Sequence, residues 1–405
     1  MGDRAAERLA QFARAHCGTS CLVVSDENTR AVGGEQVLRA LCDAGIRVTE
    51  KRYGGGPIDA SQELGDEVAE AGAALDFFAA IGGGTLCDLA KHAGTKLERP
   101  AVLYPTAAAM NGYTSGIVAI KVRGLKRTVP CTPARAVFAD PEVVATAPQR
   151  MLAAGVGDYL SKCSASADWR TAHFLREEYY DETALRFYDG VLDEVLGAVE
   201  AIGRAEPEAV ALVLEALLLS GLSMLVAGSS APASGGEHLI SHYLDMKHAL
   251  YGTAADLHGT QVGVATVHCL RLWEQVLELE PASLDIDALV AAQPSREAAR
   301  AWIEEDWGPV AAEVHGQWNE KRLPREALRA ELERFVRGID GLRPSLLGDL
   351  LPSAVVADAI RKAGGPAEPE GLEASIEEYR NALARARFIR NRFTVLDLTA
   401  ELGLA

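Results

Sequence analysis

Residues 233–244 read ASGGEHLISHYL, placing His238 and His242 four residues apart just beyond a double glycine. Four residues is about one helical turn, so on a helix both imidazoles project from one face. Such a pair can bind a metal ion, can divide metal binding and proton handling between them, or can be two ordinary polar residues. Two other segments carry matching chemistry. AAGVGDYLSK supplies Asp158, with Lys162 one turn later, and DLHGTQVGVAT supplies His258. One carboxylate and two neutral imidazoles suit Zn²⁺ or another divalent first-row metal and leave positions for substrate or water. In each segment a glycine stands within two residues of the ligand, so backbone can come close to a crowded centre. Spacing alone does not bring three remote segments together.

A second constellation is IGGGTLCDLAKHAG, residues 81–94, where glycines follow a strand-like run and open a helix from about Asp88. Glycine there lets backbone amides approach phosphate oxygens, and a helix N-terminus adds positive potential. No Gly-x-Gly-x-x-Gly follows the first strand, so a plain tight turn competes with this reading. Asp26 ends the first strand-like run. It can accept from ribose hydroxyls and would repel a 2′-phosphate, which favours NAD over NADP; it can equally cap a turn.

The elements that must hold these groups change character along the chain. SCLVVSD (20–26), IRVTEKRY (46–53), LDFFAAIG (75–82) and PAVLYPTAA (100–108) read as strands, with helical stretches near 33–44 and 60–72 and a GGGP turn at 54–57. Alternating strands and helices predict a parallel sheet covered on both faces. GIVAIKV (116–122) and ARAVFAD (134–140) are further extended pieces. Beyond Pro148, the stretches 149–230, 236–250, 256–280 and 286–345 are rich in Ala, Leu and Glu at helical spacing, and 361–375 reads as a connector before a last helix near 375–390. The expected architecture is an α/β nucleotide-binding domain over 1–148 and an all-α metal- and substrate-binding domain over 149–405.

Hydrophobic residues make up 48% of the 405, enough for a substantial core. A formal net charge of −17 argues against a nucleic-acid partner, so an anionic substrate needs a local positive pocket. No apolar run reaches the ~20 residues of a membrane span; ALVLEALLLSGLSMLVAGSS comes nearest, is interrupted by Glu215 and reads as a buried helix. With no signal-peptide pattern and seven scattered cysteines, the expectation is a cytoplasmic protein with reduced thiols.

These segments, in this order, resemble the iron-containing alcohol dehydrogenase and dehydroquinate synthase-like superfamily, and most closely its bacterial sn-glycerol-1-phosphate dehydrogenase branch. The resemblance runs through SDENT, GGGTLCDLAK, YPTAAAMNGYTS, GLKRTVP, VFADPEVVATAPQRMLAAGVGDYLSK, PASGGEHLISHYLDM, LHGTQVGVAT and FIRNRFTVLDLTAELG. It implies metal ligation by Asp158, His238 and His258, with Zn as the first expectation and Ni or Fe suiting the same ligands. It places Gly82, Gly83, Gly84, Thr85 and Asp88 at a pyrophosphate, Thr106 and Ser115 on the nicotinamide side, and Asp26 at the adenosine ribose. His242, Lys162 and Asn111 are the expected catalytic groups, and the cofactor is NAD, with NADP as the alternative. The implied reaction interconverts sn-glycerol 1-phosphate and dihydroxyacetone phosphate, or a close analogue, in a homo-oligomer. A cyclase that reduces NAD transiently and eliminates phosphate is the alternative; its family uses Glu at the metal, against Asp158. A catalytically silent relative is the third reading.

Two positions depart from the family pattern. Asn111 stands where Asp is usual, and Ala231 where Arg is usual. Lys121, Lys126, Arg127 and Lys162 are the expected remaining phosphate partners.

Overall fold

The computed structural model describes residues 1–54, 56, 58, 60–122, 125–188 and 190–404, and the side chains of residues 125 and 126 fall outside it. Gly55 and Pro57 of the expected turn and the Lys126 side chain therefore lie outside the described residues.

The strands are β1 (Ser20–Asp26), β2 (Arg47–Tyr53), β3 (Phe77–Gly82), β4 (Ala101–Pro105), β5 (Ile117–Val122), β6 (Leu125–Pro130) and β7 (Ala136–Val137). Five of them form one parallel sheet in the order β2-β1-β3-β4-β7. The near-continuous apolar runs of β1 and β3 follow from helices covering both faces. Leu22, Val24, Phe78 and Ala80 face one helical layer, while Cys21, Val23, Phe77 and Ala79 face the other. Burial of each large apolar side chain contributes about 1.5–3 kcal/mol. β2, at the sheet edge, is largely exposed and accordingly charged.

Strand order reverses between β1 and β3, so the carboxyl ends of these neighbours, at Asp26 and Gly82, flank the crevice where open α/β sheets take ligands. Asp76, just before β3, ties the two strands together at their other end. Its carboxylate accepts from Thr19 N (2.8 Å), Ser20 N (2.9 Å) and Ser20 Oγ (3.0 Å). These donors, the Thr19 amide first, hold its carboxyl below the ordinary range. Stability from a depressed acid is present above its unfolded-state value and is lost as pH falls through the folded one. Asp76→Asn is therefore expected to lower Tm at neutral pH, with the gap from the unsubstituted protein narrowing below about pH 4. A gap that does not change with pH would show that the carboxylate charge is not what holds the strands.

β5 and β6 form an antiparallel hairpin outside the sheet. The sequence marks only the first of them, because Leu-Lys-Arg-Thr-Val-Pro alternates too weakly to read as a strand. Helices Ala5–His16 and Val395–Glu401 also escape the pattern reading, and the helix after β3 starts at Gly84 rather than near Asp88, capped by Gly83 in extended backbone. Helix Pro207–Ala227 has the length and apolarity of a membrane span, yet more than half of its apolar stretch is buried against neighbouring helices and Glu215 faces outward. All seven cysteines are free thiols.

The two helices that carry Asp158 and His258, Gln149–Leu160 and His258–Glu278, cross at glycine. A Cβ on Gly157 would sit 2.4 Å from Gly259 O, and one on Gly259 would sit 2.1 Å from Ala154 O. Backbone touches backbone there, directly beside Asp158 and His258.

Candidate functional site

The three remote segments meet. Asp158, in helix Gln149–Leu160, is buried, and its Oδ1 lies 3.8 Å from Nε2 of buried His238, near the start of helix Gly236–Tyr251. The His238 and His258 rings are 5.2 Å apart, and the His242 ring is 6.2 Å from His238 and stacks on His258 at 5.5 Å. The imidazoles of His238 and His258 each have Nδ1 against a neighbour on the His238 helix. Glu237 Oε1 lies 2.9 Å from His238 Nδ1, and Ser241 Oγ lies 3.0 Å from His258 Nδ1. A carboxylate on Nδ1 fixes the tautomer that presents an unprotonated Nε2, which is how metal-binding histidines are commonly supported.

Behind Glu237 stands a second buried acid. Gly235 N donates to Glu237 Oε1 (2.6 Å), while Gly236 N and Val395 N donate to Asp168 (2.7 and 2.8 Å). Burial, then the Glu237 charge, pushes the Asp168 carboxyl well up. Burial also pushes Asp158 up, but Lys162 and the two imidazoles outweigh it and hold that carboxyl below its ordinary value.

Lys162 is buried on Asp158, donating to its carbonyl (2.7 Å) and Oδ1 (2.9 Å) and reaching Ser161 Oγ and Ala233 O. It is thus turned to the carboxylate rather than to a substrate phosphate. Asn111 also lands on Asp158: its backbone N–H donates to Oδ2 (3.1 Å), and Nδ2 reaches Oδ1 (3.5 Å) and Ser220 Oγ (3.3 Å). An aspartate here would set two carboxylates side by side; the amide donates instead.

Another grouping shares His258. Donor atoms of His242, Asp245 and His258 lie within 4.8 Å of one another, with Asp245 Oδ2 3.9 Å from His258 Nδ1. The signal for Asp245 was present in the sequence, since 238, 242 and 245 follow an i, i+4, i+7 face. Asp245 addresses the nitrogen of His258 that Ser241 also contacts, whereas Asp158 faces Nε2 of His238.

At the sheet, Gly82 ends β3 and Gly83 and Gly84 turn directly into helix Gly84–Leu97, which holds half-buried Thr85 in its first turn. No side chain caps that turn, and a Cβ on Gly83 would meet only Met151 Cε at 3.7 Å, so the Gly83 face suits a close-approaching phosphate. Asp88 sits deeper. Its buried Oδ2 accepts from Ala119 N (2.9 Å) and ties the helix to the hairpin. Ser115 Oγ is buried within 3.1 Å of Gly112 O and Ile117 O, the two carbonyls that buried Lys91 Nζ also contacts (2.6 and 2.7 Å). Buried Thr106, just past β4, donates its N–H to Gly82 O (3.2 Å). Asp26 Oδ1 accepts from Thr29 N (2.7 Å), the capping role that competes with a ribose contact.

Beside His242, two adjoining cavities share Thr128 and Arg390; one also takes in Arg127 and Glu313, the other Ser230, Ser234 and Arg392. Arg127 is ion-paired with Glu313, and Lys121 lies on β5 with its backbone N–H on Ala60 O (2.8 Å). Arg390 and Arg392 had no signal beyond their place in FIRNRF.

Residues 1–148 match the family model described as "Iron-containing alcohol dehydrogenase". The chain is 31% identical over 340 residues to a glycerol-1-phosphate dehydrogenase (NAD(P)+) of Geobacillus thermodenitrificans, covering 78% of each chain. It is 29% identical over 408 residues to one from Bacillus licheniformis, covering 100% of this chain and 88% of that one. Its fold is similar to the NADH-dependent butanol dehydrogenase A of Thermotoga maritima, with a TM-score of 0.60 at 14% identity over 100% of this chain and 95% of that one. The chain belongs to the iron-containing alcohol dehydrogenase family.

Proposed function

We propose that the protein is a metal-dependent NAD(P) oxidoreductase that interconverts sn-glycerol 1-phosphate and dihydroxyacetone phosphate. The observation that carries this reading is the convergence of Asp158, His238 and His258 beside a cavity walled by His242 and arginines. The relatives named for this activity support the substrate. On this reading the α/β part to about residue 148 holds the nucleotide and the helical remainder holds metal and substrate.

Asp158, His238 and His258 would hold one divalent ion, with Zn²⁺ proposed from the mixed carboxylate and imidazole donors, and Gly82 to Thr85 would hold the pyrophosphate. When bound, the metal polarises the reacting oxygen and the nicotinamide exchanges hydride. The remaining tasks fall to the chain. Lys162 keeps Asp158 ionised and oriented, Asn111 steadies the same carboxylate, and Glu237 fixes the His238 tautomer. Reducing a ketone to an alcohol adds one hydride at carbon and one proton at oxygen. His242, at the cavity and stacked on His258, is the group we assign to that proton.

Purified protein loaded with Zn²⁺ is expected to oxidise NADH or NADPH with dihydroxyacetone phosphate, and to reduce the cofactor with sn-glycerol 1-phosphate. Absence of turnover with phosphorylated ketones in either cofactor would overturn the reading, and phosphate release without net cofactor change would replace it with the cyclase.

A further inference from the structure

We propose that Arg390 and Arg392, with Thr128, seat the phosphate dianion of the substrate, and that Arg392 replaces the guanidinium absent at position 231. The proposal rests on the reading above in taking the substrate to be phosphorylated.

Three guanidiniums, those of Arg127, Arg390 and Arg392, line the cavities beside His242. One carboxylate, Glu313, pairs with one of them, Arg127. Among the described residues, no carboxylate comes within ion-pair distance of Arg390 or Arg392. Arg390 Nη2 has Thr128 Oγ1 at 3.3 Å; Arg392 donates to Ser234 O and, at 2.9 Å, to Ser230 Oγ. Glu178, Glu237 and Asp168 act on Arg392, and Glu313 on Arg390, only from further away.

Burial, and then the neighbouring cation, pushes both groups down: Arg127 acts on Arg390, and Arg390 on Arg392, which falls to about 10. A guanidinium keeps its charge at neutral pH. Two enclosed cations that repel each other and find only neutral acceptors form an electrostatic deficit, which a doubly charged phosphate monoester fills with charge-assisted, forked hydrogen bonds.

The placement suits the chemistry. Arg390, Thr128 and His242 share both cavities, so a phosphate held by the arginines leaves the rest of a three-carbon substrate beside His242 and the metal ligands. Arg392 reaches Ser230, the residue before Ala231, from 162 positions further along the chain. Its carbonyl is held by buried Lys321 Nζ at 2.9 Å, which also binds Asp397 Oδ2 at 2.9 Å, so the arginine segment is anchored from behind.

The test compares kcat/KM for dihydroxyacetone phosphate and unphosphorylated dihydroxyacetone in the full-length holoenzyme, for Arg390→Met, Arg392→Met and the double variant Ala231→Arg/Arg392→Met. Removing hydrogen bonds to a charged group should lower the phosphorylated-to-unphosphorylated ratio roughly ten- to a hundredfold in each single variant. The double variant should regain much of it. Equal losses on both substrates, or no loss, overturn the proposal. Calorimetric binding of inorganic phosphate supplies a readout independent of turnover. If the unsubstituted protein turns over neither substrate, the functional reading falls. The seat then stands only if Arg390→Met or Arg392→Met, with thermal unfolding unchanged, weakens phosphate binding by roughly tenfold. Unchanged or absent phosphate binding overturns it.

Discussion

Asp158→Asn is expected to lower kcat/KM by about a thousandfold or more and to leave the purified protein depleted of metal. The substitution keeps size and most local hydrogen bonds, since Lys162 also donates to the Asp158 carbonyl and reaches Ser161 and Ala233. On the proposed function, what it removes is a charged metal ligand and with it the Lewis-acid contribution, which amounts to several kcal/mol of transition-state stabilisation at about 1.4 kcal/mol per factor of ten. Glu237→Gln should be milder, about ten- to a hundredfold in metal affinity, because it disturbs the support of His238 rather than a ligand. Asp245→Asn is the discriminating control. It lies near His258 but addresses the nitrogen beside Ser241, so metal content should persist. Elemental analysis of the three variants decides the matter: metal retained in Asp158→Asn and lost in Asp245→Asn would move the centre to the His242, Asp245 and His258 grouping.

Gly157→Ala and Gly259→Ala should each destabilise the protein by about 3 kcal/mol or more. Overpacking ordinarily costs 1–3 kcal/mol when side chains can yield, but here the obstructions are backbone carbonyls, Gly259 O at 2.4 Å and Ala154 O at 2.1 Å. The helices must separate, carrying Asp158 away from His258. Gly197→Ala serves as the control: it lies in helix Val191–Gly203 with nothing within 4 Å, and alanine there should be neutral or stabilising by up to about 1 kcal/mol. Denaturant midpoints measured with a chelator present separate packing from metal loss. If the two crossing glycines behave like Gly197, the helices do not need their backbone contact.

Much of this was legible because burial leaves period and composition in a sequence. β1 and β3 announce themselves as apolar runs since both faces are covered, and the helices of Asp158 and His258 carry glycine beside those residues because their backbones touch. Helix Ala5–His16 went unseen because its buried face is mostly alanine, a weak apolar signal. Lys162 reads as a ligand-facing charge, yet it is satisfied inside the protein, and Asp88 Oδ2 is engaged by Ala119 N, distinctions that only three-dimensional burial makes. The arginine pair was illegible for a different reason. Nothing local in FIRNRF records that it will lie against Thr128, 262 residues earlier.

That separation has a consequence for how the protein is made. At about 5–20 residues per second, the ribosome takes roughly 13–50 seconds to travel from Thr128 to Arg390. The glycine turn has emerged before then, and Asp158, His238 and His258 emerge in the meantime, so the residues proposed for nucleotide and ion are available first. The arginines proposed to seat the phosphate are translated after them.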